Sequence, residues 1–105
     1  MPRVLKDVAS FKADRAWGAL DIAEIDGASV RIHWTEKPYR WHVNDGAEVF
    51  TVLSGDVDMK YRIEGEVRVA HLSAGDIFIA DIGDEHVAEP IGEARILVIE
   101  RKGSV

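Results

Sequence analysis

Apolar and polar residues alternate along much of the chain. Val30, Ile32 and Trp34 alternate with Arg31, His33 and Thr35, and Val57, Met59, Tyr61 and Ile63 alternate with Asp58, Lys60 and Arg62. Successive strand side chains point to opposite faces, so a period of two predicts strands with one buried face. His33 alternates with the apolar set and reads as an ordinary strand residue, as does His71 between Ala70 and Leu72. Residues 49–53, 77–80 and 96–99 are nearly continuous apolar runs, the pattern of central strands covered on both sides.

Glycine punctuates these segments. Gly46, Gly55, Gly65, Gly75, Gly83 and Gly92 lie eight to ten residues apart, several beside an aspartate. Short strands with turns at this spacing predict an all-β fold, a double-sheet jelly-roll barrel of about eight strands. Residues 7–17 read as a short helix or turn anchored by Phe11 and Trp17, and residues 20–25 as an opening strand. The chain therefore divides into an N-terminal extension, 1–27, and one barrel domain, 28–105. No linker, repeat or low-complexity tract interrupts it.

Composition narrows the partners. The chain has 105 residues, enough for one core, with 47% hydrophobic and 30% charged residues. Its net charge of −6 argues against nucleic acid or an anionic membrane, both of which favour a basic face. Without cysteine there is no disulfide, thiolate metal site or cysteine nucleophile, which fits a reducing compartment. The first residues lack the apolar run of a signal peptide, and no stretch is long enough to span a membrane. The expectation is a soluble cytoplasmic protein. So small a barrel leaves apolar surface exposed, which predicts a homodimer in which the N-terminal segment can add a strand to the neighbour.

The chemistry lies in His42, Glu48 and His86. One strand can aim His42 and Glu48 at the barrel interior, and a second can bring His86 to the same point, just past Gly83. Two imidazoles and one carboxylate meeting there would hold a divalent transition metal with positions left open. Zinc, iron, manganese and nickel all suit such a set. The alternative is a vestigial site of buried polar residues hydrogen-bonded to one another. Arg40, Phe50, Met59 and Tyr61 are candidates to line the same pocket, with the core the stronger reading for Phe50. Asn44-Asp45-Gly46 is a good turn sequence, so turn chemistry alone accounts for Asn44; a weak amide-oxygen ligand is the other reading. Trp17, Trp34 and Trp41 read as core or subunit-interface residues. Asp81, Asp84, Glu85 and Glu89 read as a solvated loop.

The segment from Trp41 to Gly55, with His42, Glu48 and Gly55 at matching spacing, resembles the first motif of the cupin superfamily. Gly75-Asp76 through Gly83 to His86 resembles the second. The resemblance spans residues 28–100. It implies a small β-barrel and carries metal-ligand roles onto His42, Glu48 and His86. Asn44 stands where the family usually has a second histidine, Asp81 replaces the usual proline, and Pro90 stands in place of a less strict asparagine. Two functions follow from the resemblance. One is a metal-dependent enzyme, an oxygenase or an isomerase or lyase acting on a small organic molecule. The other is a non-catalytic module that binds a small ligand.

Overall fold

The computed structural model describes residues 1–104. One short 3-10 turn, Val8–Ser10, precedes seven strands: β1 (Gly18–Ile25), β2 (Ala28–Thr35), β3 (His42–Val43), β4 (Glu48–Ile63), β5 (Glu66–Ser73), β6 (Ile77–Ala80) and β7 (Glu85–Arg101). All pairings are antiparallel.

β4 and β7 form the spine. Residues 48–54 of β4 pair with β6 and with residues 95–100 of β7, whose far side pairs with β2. Residues 56–63 of β4 pair with β5 and with residues 86–91 of β7, whose other neighbour is β3. Each long strand thus crosses from one leaf of the barrel to the other. The result is an all-β jelly roll.

The expected breaks at Gly55 and Gly92 are corners within strands, so β4 and β7 are each one element. Gly55 has φ 84°, and the β4–β7 register shifts on both sides of Ser54. A Cβ at Gly55 would run into the carbonyl oxygen of Glu93. Only glycine combines this φ with so close a backbone approach.

Phe50, Val52, Val57, Met59, Leu72, Ala88, Ala94, Ile96 and Val98 form the core. Met59 is fully buried, and hiding a side chain of that size is worth ~2 kcal/mol.

The N-terminal residues are built into the same body. β1 pairs with β2 of its own chain through a hairpin at Asp26-Gly27, whose φ values of 49° and 81° suit a tight primed turn. Residues 7–17 contain the single 3-10 turn and no longer helix. Among the described residues no helix is long and apolar enough to cross a membrane.

Two burial expectations are corrected. Ile32 and Trp34 are buried but lie outside the core cluster. They belong to the outer face of their leaf, where Arg95, the register partner of Trp34, donates from Nε to the Phe11 carbonyl at 2.8 Å. Lys12 lies over the Trp34 ring at 5.4 Å. The N-terminal segment thus packs on this outer face at Trp34 and Arg95, and the alternate residues Arg31 and His33 turn inward to line the cavity. Residues 77–80 are not covered on both sides either: Ile77 and Ile79 are 58% and 67% exposed. β6 is an edge strand, and only Phe78 and Ala80 face the interior.

Candidate metal centre

The two leaves bring three strand starts together. His42 on β3 is the register partner of His86 on β7, and Tyr61 of β4 flanks His86 on its other side. Glu48 opens β4 in the opposite leaf, beside Ala80 and Glu100. One ligand atom from each of His42, Glu48 and His86 lies within 4.8 Å of the others. The His42 and His86 rings meet edge to face with centroids 4.4 Å apart.

Hydrogen bonds fix much of this arrangement. His42 Nδ1 lies 3.0 Å from the Arg40 carbonyl, which can only accept. Nδ1 therefore carries a proton, and in the neutral ring Nε2 keeps its lone pair, the arrangement usual in metal-binding histidines. His86 differs. Its Nε2 lies 2.6 Å from Asn44 Oδ1 and 3.3 Å from Glu48 Oε1, while its buried Nδ1 has no partner.

Asn44 is not explained by its turn alone. Its Nδ2 donates to the Gly46 carbonyl at 3.2 Å, as turn chemistry requires, but also to Glu48 Oε1 at 3.4 Å. The side chain is 5% exposed and faces both His86 and Glu48. Backbone bonds on both sides, Asn44 N–H to the Asp84 carbonyl and Gly83 N–H to the Asn44 carbonyl, each 2.8 Å, extend the β3–β7 pairing and aim it inward.

Electrostatics favour an ionised Glu48. Burial alone would raise its pKa, but the hydrogen bond and charge of His86, the Asn44 amide and the charge of His42 outweigh burial and hold it below the ordinary value. Glu100 next to it goes the other way. Burial first, then the negative charge of Glu48, pushes it up to about 7, with Arg31 partly offsetting.

The donor set fits a metal. Ligand atoms around one first-row ion lie roughly 3 to 4 Å apart when each bond is near 2.1 Å. The His86–Glu48 separation of 3.3 Å is already in that range, and side-chain rotation can close the rest. His86 Nδ1, the nitrogen from which an imidazole ligating through Nε2 ordinarily donates, has no hydrogen-bond partner.

A cavity of about 290 Å³ opens onto the three residues. Trp17, Tyr39 and Phe50 supply aromatic wall; Arg31, His33 and Glu100 supply polar wall. Of the residues expected to line the pocket, Phe50 does, and is buried. The other three do not line it. Met59 is in the core, Tyr61 lies behind His86 with its ring 5.9 Å from that of Phe78, and Arg40 is exposed, stacked on Tyr39 at 5.0 Å. His33, Trp17 and Tyr39 were missed. Their signal was hidden, because Ile32 and Trp34 look like the inward face of β2.

No family model matches the chain, and no curated protein matches it in sequence. Solved structures do. A cupin-2 domain containing protein from Shewanella frigidimarina is 26% identical, with a TM-score of 0.76, over 86% of this chain and 85% of that one. A cupin superfamily protein from Desulfitobacterium hafniense is 13% identical, with a TM-score of 0.78, over 96% and 92% of the two chains. Hydroquinone 1,2-dioxygenase from Sphingomonas sp. TTNP3 is 22% identical, with a TM-score of 0.75, over 85% of this chain and 28% of that one. The chain therefore has the small cupin-domain fold, shared with these two proteins over most of its length and most of theirs.

Proposed function

We propose that this protein holds a divalent transition metal with His42, Glu48 and His86, and that it is a small metal-dependent enzyme of the oxygenase or isomerase/lyase type acting on a small organic molecule. One observation carries the reading: donor atoms from three separate strands meet within 4.8 Å at the wall of one cavity. Zinc, iron, manganese and nickel all suit two imidazoles and a carboxylate. Bound there, such an ion supplies Lewis acidity and open coordination positions. The fold shared with a dioxygenase is compatible with this chemistry.

The chain's own residues do the rest. The Arg40 carbonyl holds the tautomer of His42, and His86 and Asn44 keep Glu48 ionised. Trp17, Tyr39 and Phe50 exclude water from one side of the cavity. Arg31, tethered by Asp21 at 2.8 Å, places positive charge on the polar side.

The Asn44–His86 contact favours a second reading, a module that binds a small ligand without turnover over a vestigial site. At 2.6 Å the amide already satisfies His86 Nε2 without an ion. We propose a homodimer under either reading. Val30, Ile99, Val49 and Ile79 form one register row on the outside of a leaf, and Ile79 is 67% exposed. A second copy covering this row is the simplest way to remove it from water.

Elemental analysis of untagged protein beside a His86→Ala variant tests the metal. About one ion per chain is the expected content, falling sharply in the variant. Chelator lowers the melting temperature of the wild type, because an ion held only by the folded state stabilises it. Substoichiometric metal that the variant leaves unchanged would overturn the proposal in favour of the vestigial site. Oxygen uptake or product formation by the loaded protein separates enzyme from binding module.

A further inference from the structure

Three imidazoles line the cavity, and His33 is not among the candidate ligands. Its Nδ1 lies 2.9 Å from the carbonyl oxygen of Trp17. A carbonyl only accepts, so Nδ1 carries the proton and Nε2 holds a lone pair. Among the described residues Nε2 makes no hydrogen bond, and it is not one of the sealed, unpartnered atoms of the interior. The His33 ring lines the cavity, and Nε2 is its unpaired nitrogen. Burial lowers the pKa of the ring, against the raising effect of the Trp17 carbonyl, so the neutral form persists at pH 7.

The residue that sets this tautomer is itself held in an unusual backbone state. Trp17 has φ 62°, uncommon for a bulky side chain. Its indole Nε1 donates to the Lys37 carbonyl at 2.9 Å, and its ring packs edge-on against Tyr39 at 5.2 Å. The next residue, Gly18, bonds back to the Arg15 carbonyl at 3.1 Å, and a Cβ there would strike the Cβ of Ala13. Strained conformations of this kind persist where the surroundings over-determine them, and they cluster at ligand sites.

We propose that His33 Nε2 is a fixed hydrogen-bond acceptor for the hydroxyl of a small planar ligand, a phenol or an enol, whose ring lies along Trp17, Tyr39 and Phe50. The inference deepens the metal reading and rests on it for the far end of the ligand at His42, Glu48 and His86. The aromatic wall selects a flat ligand, and a cavity of about 290 Å³ limits it to a small one. The donor requirement comes from Nε2, which in this tautomer can only accept. A ligand without an O–H or N–H leaves that atom unpaired on leaving water.

Phenol and anisole are the probes, since they share a ring and differ in the donor. Nitrogen-15 NMR of the full chain should show His33 as the pure Nδ1–H tautomer, with the Nε2 signal moving as phenol is added. The His33→Phe variant should bind phenol about tenfold more weakly and anisole unchanged. His33→Gln, which keeps an acceptor, should recover part of the loss. Metal content is measured on the same samples. Unchanged metal in His33→Phe with lost phenol preference supports the proposal. Phenol preference in a wild type that takes up no metal would sink the metal reading and leave the acceptor role standing. Phenol and anisole binding alike to wild type, or an Nε2 signal that phenol does not move, would overturn the proposal while leaving the metal reading intact. If His33→Phe does not fold, the wild-type nitrogen shifts decide the question alone.

Discussion

His86 Nε2 and Asn44 Oδ1 lie 2.6 Å apart, in a site where the same amide also donates to Glu48. Asn44 stands where the cupin motif that this segment resembles has a further imidazole, and its side chain faces His86 and Glu48. Replacing Asn44 with histidine should therefore tighten metal binding by tenfold or more, because imidazole is a better donor than an amide oxygen for these metals. Competition against a chromogenic chelator measures it. Asn44→Ala should cost metal-free protein about 1–3 kcal/mol, the penalty for stranding a buried polar partner. Unchanged metal affinity in Asn44→His would place that position outside the coordination sphere.

The N-terminal cover predicts a second effect. Deleting residues 1–12 removes the Phe11 carbonyl from Arg95 and Lys12 from Trp34. Trp34 and Ile32, now nearly dry, would face water. The truncated chain should melt lower, bind a hydrophobic dye and show red-shifted tryptophan emission. Identical emission and melting would mean that other residues cover this face.

A pH effect follows from His71. Hydrogen bonding to Asp58 at 2.8 Å is the main cause of its raised pKa; desolvation opposes it, and Asp56 at 3.3 Å adds to the rise. A histidine whose folded pKa exceeds its unfolded value of about 6.5 contributes stability in full below that pH. The contribution fades as pH rises through the higher folded value. The wild type should therefore melt above His71→Gln near pH 6, and the difference should vanish at alkaline pH. A difference independent of pH would assign the effect to packing.

Gly55→Ala should destabilise the fold by about 2 kcal/mol or more, through a positive φ and a collision with the Glu93 carbonyl. Denaturant unfolding measures it. Gly65→Ala is the control, since its φ of 79° is similar but no atom lies in the way. Equal losses in the two variants would remove the steric part of the argument.

Period-two patterning located β2 and β4, and glycine spacing marked most of their ends. Alternation could not say which face of a strand is inside. Ile32 and Trp34 imitate an inward face because they are buried on the outer side of their leaf, where Lys12 lies over the Trp34 ring. That misassignment hid His33. The apolar run of β6 was misread for a related reason, since Ile77 and Ile79 sit on an edge facing outward. His42, Glu48 and His86 stand out because their spacing around Gly46 and Gly83 is local and joint. Asn44 was harder, because an amide that closes a turn can still point its oxygen into a cavity. Met59 is closed into the core and Tyr61 pairs with His86 with its ring against Phe78, and alternation along β4 does not say which side chains of one face reach the cavity.

The crossing of β4 and β7 between leaves has a mechanical result. Glu48 belongs to one leaf, and His42 and His86 belong to the other. A cation gripped by all three would rivet the two walls at the rim, so that holding the ion and keeping the mouth shut become a single property of the barrel.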